Sequence, residues 1–331
     1  MKKGVVQFLA VVAAVGAAAF LLRPADSVRT RDEWPAMGTV AGLTFRGAAP
    51  RRAEIRKLVQ KRYGHLEELL SAWNPGSELS RLSREGGTNW IARVSPETAD
   101  CYRMALTLSE RSGRAFNPWI GAKLRALGFS HGSPFSDFDL GAIAKGFAVD
   151  EAWRDVTVAF GTSDLLIDLG GNLRVVGGAW RTGIRNPFGP GYAATVVLTN
   201  GEAVATSGNY ERFVERDGVR YSHILDGRTG EPVAGIAGVT VIAPSATLAD
   251  GLSTTMFVLG PEEGMRFLGQ WHPDIAALWI PDTPDAPEIL ASPVMSARLS
   301  DAGFTVRHLP DRAARAKLRL QSPVHSAPEA F

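Results

Sequence analysis

The 331-residue chain has one cysteine, Cys101. No intrachain disulfide can form, nor can a Cys-x-x-Cys redox site or a cysteine-rich zinc site. Its place in an amphipathic stretch marks Cys101 as a small buried hydrophobe. Net charge is equally scarce, 36 Lys and Arg against 34 Asp and Glu leaving +2. No global field recruits nucleic acid, and no nucleic-acid partner is expected. The basic residues in excess lie near the ends, at 23–31 and 307–319, where they solvate flexible arms. There is no Walker loop, no G-x-G-x-x-G opening a helix, no H-E-x-x-H pair and no G-x-S-x-G elbow. Those absences weigh against ordinary nucleoside triphosphatases, dehydrogenases, metalloproteases and serine hydrolases. Only one apolar run, residues 5–22, approaches the length of a bilayer span.

That run follows Lys2 and Lys3. A positive start before an apolar stretch reads as a secretory signal or an uncleaved membrane anchor over residues 1–23. No clean small-x-small cleavage site follows, so retention as an anchor stays open. The absence of a following cysteine excludes lipoprotein attachment, and there is no twin arginine to indicate folded export. The expectation is an exported chain, periplasmic or anchored to the inner membrane facing the periplasm. Residues 24–33 then form a linker.

Otherwise the composition, 45% hydrophobic and 21% charged, is that of a globular domain long enough to bury its own core. Residues 34–45 predict a first strand kinked at Met37-Gly38-Thr39. Residues 52–73 carry Ile55, Leu58, Val59, Leu66, Leu69 and Leu70 at helical spacing, stopped by Asn74-Pro75-Gly76. Ser95-Pro96 caps and opens a second helix, and a third is predicted over 142–153. Strands follow at 165–169, 173–176, 193–198 and 204–207, joined by turns that favour hairpins. Then come a strand at 237–242, a helix at 247–258 broken at Gly260-Pro261, and a strand at 276–280. Early helices and central hairpins, without βαβ alternation, predict one α+β catalytic domain over 34–306. Residues 307–331 are predicted to be a disordered tail.

Three small-residue clusters hold the polar groups. In Asp139-Leu140-Gly141-Ala142-Ile143-Ala144-Lys145-Gly146, glycines around a helix start admit a ligand to the backbone, and the helix terminus favours an anion. The same residues also fit a plain Asp139 cap followed by a surface lysine. In Ala249-Asp250-Gly251-Leu252-Ser253-Thr254-Thr255, Asp250 and Thr254 share a helix face, a carboxylate and a hydroxyl suited to magnesium and unsuited to zinc. An N-cap aspartate with a core-facing threonine fits too. The third cluster joins 206–210 to 221–230. There His223, whose imidazole titrates near neutrality, can act as a base toward a hydroxyl; the other choice is a hairpin tip braced by Asp226 and Arg228. His65, His131, His272, His308 and His325 are scattered without ligand spacing.

Seven segments in this order resemble the FAD:protein FMN transferase family, the ApbE-like proteins. They are A-M-G-T at 36–39, W-N-P-G-S-E-L-S-R-L at 73–82, D-L-G-A-I-A-K-G at 139–146, D-L-G-G-N at 168–172, A-T-S-G-N-Y at 205–210, S-H-I-L-D-G-R-T-G at 222–230 and 249–254. The resemblance implies an ApbE-like, T-fold-like architecture of mixed and antiparallel sheets with packed helices. It implies Mg2+ held by the side chains of Asp250 and Thr254 and the carbonyl of Ala142. It also implies a FAD site lined by Met37, Trp73 or Asn74, Ala115, Phe116, Asn117, Asp139, Lys145, His223 and Ile224. The implied reaction splits FAD, joins FMN to a threonine hydroxyl of a target protein and releases AMP, with His223 and Asp250 as catalytic residues. The implied target is a flavin-carrying subunit of an electron-transport complex or a nitrous-oxide-reduction accessory protein. Two alternatives remain, an FAD pyrophosphatase yielding FMN and AMP, and a non-catalytic flavin-binding carrier. Three positions depart from the pattern: Asn117 for a usual Asp, Trp119 for a usual Thr, and Gly227 for the proline of D-P-R-T-G.

Overall fold

The computed structural model describes residues 29–85, 93–129, 138–161, 164–211, 213–216 and 219–310, of which 83–85, 214–216 and 219–221 are described by backbone alone. The expected leader at 1–23, the start of the expected linker, His131, His325 and most of the expected tail lie outside them. The described chain runs β1 (Arg29–Ala36), β2 (Thr39–Arg46), α1 (Arg52–Leu70), α2 (Glu78–Glu85), α3 (Pro96–Arg111), α4 (Gly121–Ala126), α5 (Ala144–Phe160), β3 (Leu165–Leu169) and β4 (Asn172–Val176). There follow β5 (Trp180–Arg185), β6 (Tyr192–Leu198), β7 (Ala203–Gly208), β8 (Phe213–Arg216), β9 (Val219–Ser222), β10 (Ile236–Ala243) and α6 (Ala246–Trp271). The chain closes with β11 (Ala276–Pro281), β12 (Glu288–Ala291), α7 (Pro293–Ser296), β13 (Leu299–Ala302) and β14 (Thr305–His308).

Nine strands form one sheet in the order β1-β2-β3-β4-β7-β10-β11-β12-β14. Every pairing is antiparallel except β12 with β14. Successive side chains of a strand point to opposite faces, and the apolar residues divide accordingly. Leu165, Ile167 and Leu169 join the core beneath α1, α5 and α6, whereas Leu166 joins a second core with Trp180 and Val196 of the small β13-β6-β5 sheet. Helices therefore cover one face of the main sheet and the three-stranded sheet covers the other, an α+β arrangement with an open mixed sheet.

The strand expected at 34–45 is instead a hairpin, with Ala36 paired to Thr39 across Met37-Gly38. Both turn residues have positive φ, 48° and 70°, as a two-residue type I′ turn requires. A methionine in the first of those positions hides the turn from the sequence. The expected linker also changes, because Arg29–Glu33 belong to β1, where Arg31 donates to buried Asp168 at 2.8 Å and to Thr44 at 2.9 Å. At the other end Arg307 and His308 lie in β14, not in a tail, since they complete the open edge of β12; Leu309 N also donates to Ala291 O. The third helix starts at Ala144, two residues later than expected, and runs seven residues past Trp153. Gly260 (φ 67°) interrupts α6 before Pro261, as the sequence indicates.

Candidate active site

The site is built where α5 and α6 touch. Asp150 on α5 takes up the N-terminus of α6, accepting from Ala246 N at 2.8 Å and Thr247 N at 2.9 Å. A helix start leaves such N–H groups without internal partners. Arg174 of β4 neutralises the carboxylate at 2.6 Å. One turn back along α5, Gly146 lies so close to α6 that a Cβ there would sit 2.3 Å from Ala246 O and 2.7 Å from Asp250 Cβ. Only glycine permits this approach, and it lets Gly146 N donate to Asp250 Oδ2 at 2.9 Å.

Gly146 N stands in the first turn of α5, where amides have no carbonyl partner within the helix, and Asp250 supplies its acceptor. Ala142 lies just before the helix, and its O accepts no backbone hydrogen bond among the described residues. Asp250 is 5% exposed. Burial pushes its carboxyl above the usual aspartate range, an effect opposed by the Lys145 charge and the Gly146 N–H and reinforced by Asp150. Asp250 is not a helix cap, because Ser245 caps α6 by accepting from Leu248 N at 3.2 Å. Thr254 is half-buried, with Oγ1 3.1 Å from Ser207 Oγ on β7. Asp250 and Thr254 are thus one turn apart on α6, Asp250 against the start of α5 and Thr254 against β7, with the carbonyl of Ala142 just before α5.

A second group of residues is held by loops. Ala115 and Phe116 are buried after α3, with Phe116 N bonded to Ser112 Oγ. Asn117 donates through Nδ2 to Gly227 O at 2.9 Å and accepts Trp119 N at Oδ1, also at 2.9 Å. Gly227 N donates back to Ala115 O at 3.1 Å. A Cβ on Gly227 would lie 2.3 Å from Asn117 Cβ, so two of the departures from the family pattern pack directly on each other. Asp139 N donates to Pro118 O, and Asp139 Oδ1 accepts Gly141 N at 2.6 Å. This carries the loop to the start of α5. Lys145 is half-buried, its Nζ donating to Gly141 O.

His223 is half-buried in the loop after β9, its ring 6.5 Å from that of Phe129. Ile224 beside it is buried and takes Ser222 Oγ as acceptor for its N–H. The bracing pair is present as well: Arg228 bonds Asp226 at 2.8 Å and reaches Glu263 of α6 at 3.1 Å. Bracing and the placement of His223 are therefore compatible. Met37 sits at the β1–β2 turn with its N–H on Glu67, and Asn74 accepts Gly76 N after α1 beside half-exposed Trp73. No group of three or more His, Cys, Asp or Glu residues forms a metal cluster among the described residues. Sequence reasoning missed Asp150, Ser207, Ser253 and the Gly146 amide. Asp150 follows Gly146 by four residues and so shares its helix face, the one local signal that was present.

The layering defines an α+β protein with the fold of known flavin transferases. The flavin transferase ApbE from Vibrio cholerae matches with TM-score 0.70 and 24% identity, over 83% of this chain and 100% of that one. The ApbE protein from Thermotoga maritima matches with TM-score 0.71 and 25% identity, over 82% and 99%. The chain belongs to the ApbE family, whose model matches residues 37–137 and 133–279. It is 35% identical to the FAD:protein FMN transferase of Treponema pallidum over 301 residues, covering 74% of this chain and 82% of that one. It is 34% identical to the protein of the same name from Rhodobacter capsulatus over 274 residues, covering 70% of this chain. It spans about half, 51%, of that relative's length.

Proposed function

We propose that this chain transfers FMN from FAD to a threonine hydroxyl of a target protein. The acceptor oxygen forms a bond to the phosphorus of the FMN half, the bond from that phosphorus to the bridging oxygen of the pyrophosphate breaks, and AMP leaves with the bridging oxygen. His223 takes the hydroxyl proton. Membership of the family and two relatives named FAD:protein FMN transferase support the reading.

The observation that carries it is the oxygen set between α5 and α6. Asp250 Oδ1 and Ala142 O accept no hydrogen bond among the described residues, and Thr254 lies one turn along α6 from Asp250. All three are hard oxygen ligands, so they fit Mg2+ and not a soft metal. Bound there, the ion supplies charge neutralisation to a pyrophosphate. Lys145, its Nζ beside Gly141 at the start of α5, holds the phosphates. The loop pair 115–118 and 223–227 forms the flavin wall and carries His223 to the acceptor. The target is a flavin-carrying subunit of an electron-transport complex or a nitrous-oxide-reduction accessory protein. Residues 1–23 place the enzyme outside the cytoplasm, released or anchored.

Incubation with FAD, Mg2+ and such a subunit is expected to give a covalently fluorescent target and AMP. Free FMN with AMP would instead identify a hydrolase, and neither product a carrier. Cell fractionation is expected to find the protein in the periplasm or inner membrane, and a cytoplasmic pool alone would contradict the placement.

A further inference from the structure

Three consecutive residues of α6 carry hydroxyls, and they are not used alike. Thr255 Oγ1 donates to Gly251 O at 2.7 Å, and Ser253 Oγ donates to Asp250 O at 2.8 Å. These are the ordinary back-bonds of hydroxyls within a helix. Thr254, between them, bonds a side chain on another element, Ser207 of β7.

A carbonyl only accepts, so when the Ser253 proton lies on Asp250 O, 2.8 Å away, it is not available to Ser207. In that arrangement Ser207 donates to Ser253 across 2.8 Å and Thr254 donates to Ser207 across 3.1 Å; neither contact fixes its donor by distance alone. The order is Thr254 to Ser207 to Ser253 to Asp250 O. Ser253 is fully buried and Ser207 nearly so, so solvent does not scramble it.

We infer that Ser207 and Ser253 are positioning residues, which turn the Thr254 proton toward β7 and leave the lone pairs of its oxygen for a cation. The inference rests on reading Asp250, Thr254 and Ala142 as a divalent-cation site. Neither serine touches the ion. Each acts by fixing which side of Thr254 Oγ1 bears hydrogen. In Ser253→Ala the Ser207 proton loses its acceptor and turns onto Thr254 Oγ1, where it competes with the ion for the same lone pairs.

The test uses Mn2+ as the probe, with the free ion followed by electron paramagnetic resonance and thermal unfolding in chelator run alongside. Wild type is expected to bind one Mn2+ and Asp250→Ala to lose it. Ser253→Ala and Ser207→Ala should each bind about tenfold more weakly while unfolding near the wild-type midpoint, and Ser207→Thr, which keeps the hydroxyl, should bind within about twofold of wild type. If both alanine variants bind Mn2+ like wild type while Asp250→Ala does not, the positioning role is overturned and the cation site stands. If wild type binds no Mn2+, or Asp250→Ala binds it equally well, the cation site falls and the inference with it.

Discussion

The two halves of the site are held by different means. At the α5–α6 contact the backbones touch: Gly146 leaves no room for a side chain, its amide is spent on Asp250, and Asp150 clamps the start of α6. In the proposed flavin wall, two loops meet through one side-chain amide and one backbone amide, with exposed Arg228 as a brace. Where backbone proximity sets the geometry, hardly any residue is exchangeable. Where hydrogen bonds between loops set it, a paired change can be absorbed. Asn117 and Gly227 illustrate this, since both depart from the family pattern and they depart where they touch. Proline at 227 would lose the bond to Ala115 O and meet Asn117, and Asp at 117 would turn an acceptor on the Gly227 carbonyl. Each residue suits the other.

The comparison breaks most readily at Asp250. Asp250→Ala is expected to lower FMN transfer by about a thousandfold or more, the several kcal/mol that a metal contributes to a phosphoryl transfer, with circular dichroism unchanged. Full activity would refute the site. Asp150→Ala leaves Arg174 buried without a carboxylate and removes the acceptor of the Ala246 and Thr247 amides, and is expected to cost about 3 kcal/mol in urea unfolding. A loss below about 1 kcal/mol would show the clamp to be incidental. Gly146→Ala should cost about 1–3 kcal/mol from overpacking and also weaken Mn2+ binding, because Asp250 moves with α6.

Effects in the flavin wall are expected to be smaller and of another kind. Asn117→Asp should raise the KM for FAD about three- to tenfold, the value of one hydrogen bond, with kcat changed far less. A change as deep as that of Asp250→Ala would erase the distinction between the halves. The smallest effect concerns Cys101, fully buried, its thiol pushed above its usual range by burial and by Asp250. The thiolate is the reactive form, so at pH 8 a thiol reagent should label Cys101 only on unfolding. Fast labelling of the native protein would show the α3–α6 packing to be open.

Much of this was legible in the sequence because it is local. The α3 cap at Ser95, the Gly260-Pro261 break, β3 and the spacing of Asp250 and Thr254 each depend on a few neighbouring residues. What was not legible depends on distant partners. Gly146 meets Asp250 across 104 positions, and no local pattern marks a glycine as a helix-contact residue rather than a loop residue. The hairpin at Met37 was read as a kink because methionine rarely takes positive φ. The strands β12, β13 and β14 have four residues each and little alternation, so they form only because a sheet edge is there to receive them. Ser207 lies within the A-T-S-G-N-Y segment, but its bond to Thr254 needs β7 and α6 to be adjacent.

The most direct measurement is intact-mass analysis of a flavin-accepting electron-transport subunit incubated with FAD and the enzyme. An FMN-sized adduct on threonine is expected with Mg2+ and wild-type enzyme, and none with chelator or with Asp250→Ala. An adduct formed equally in all three would contradict the account.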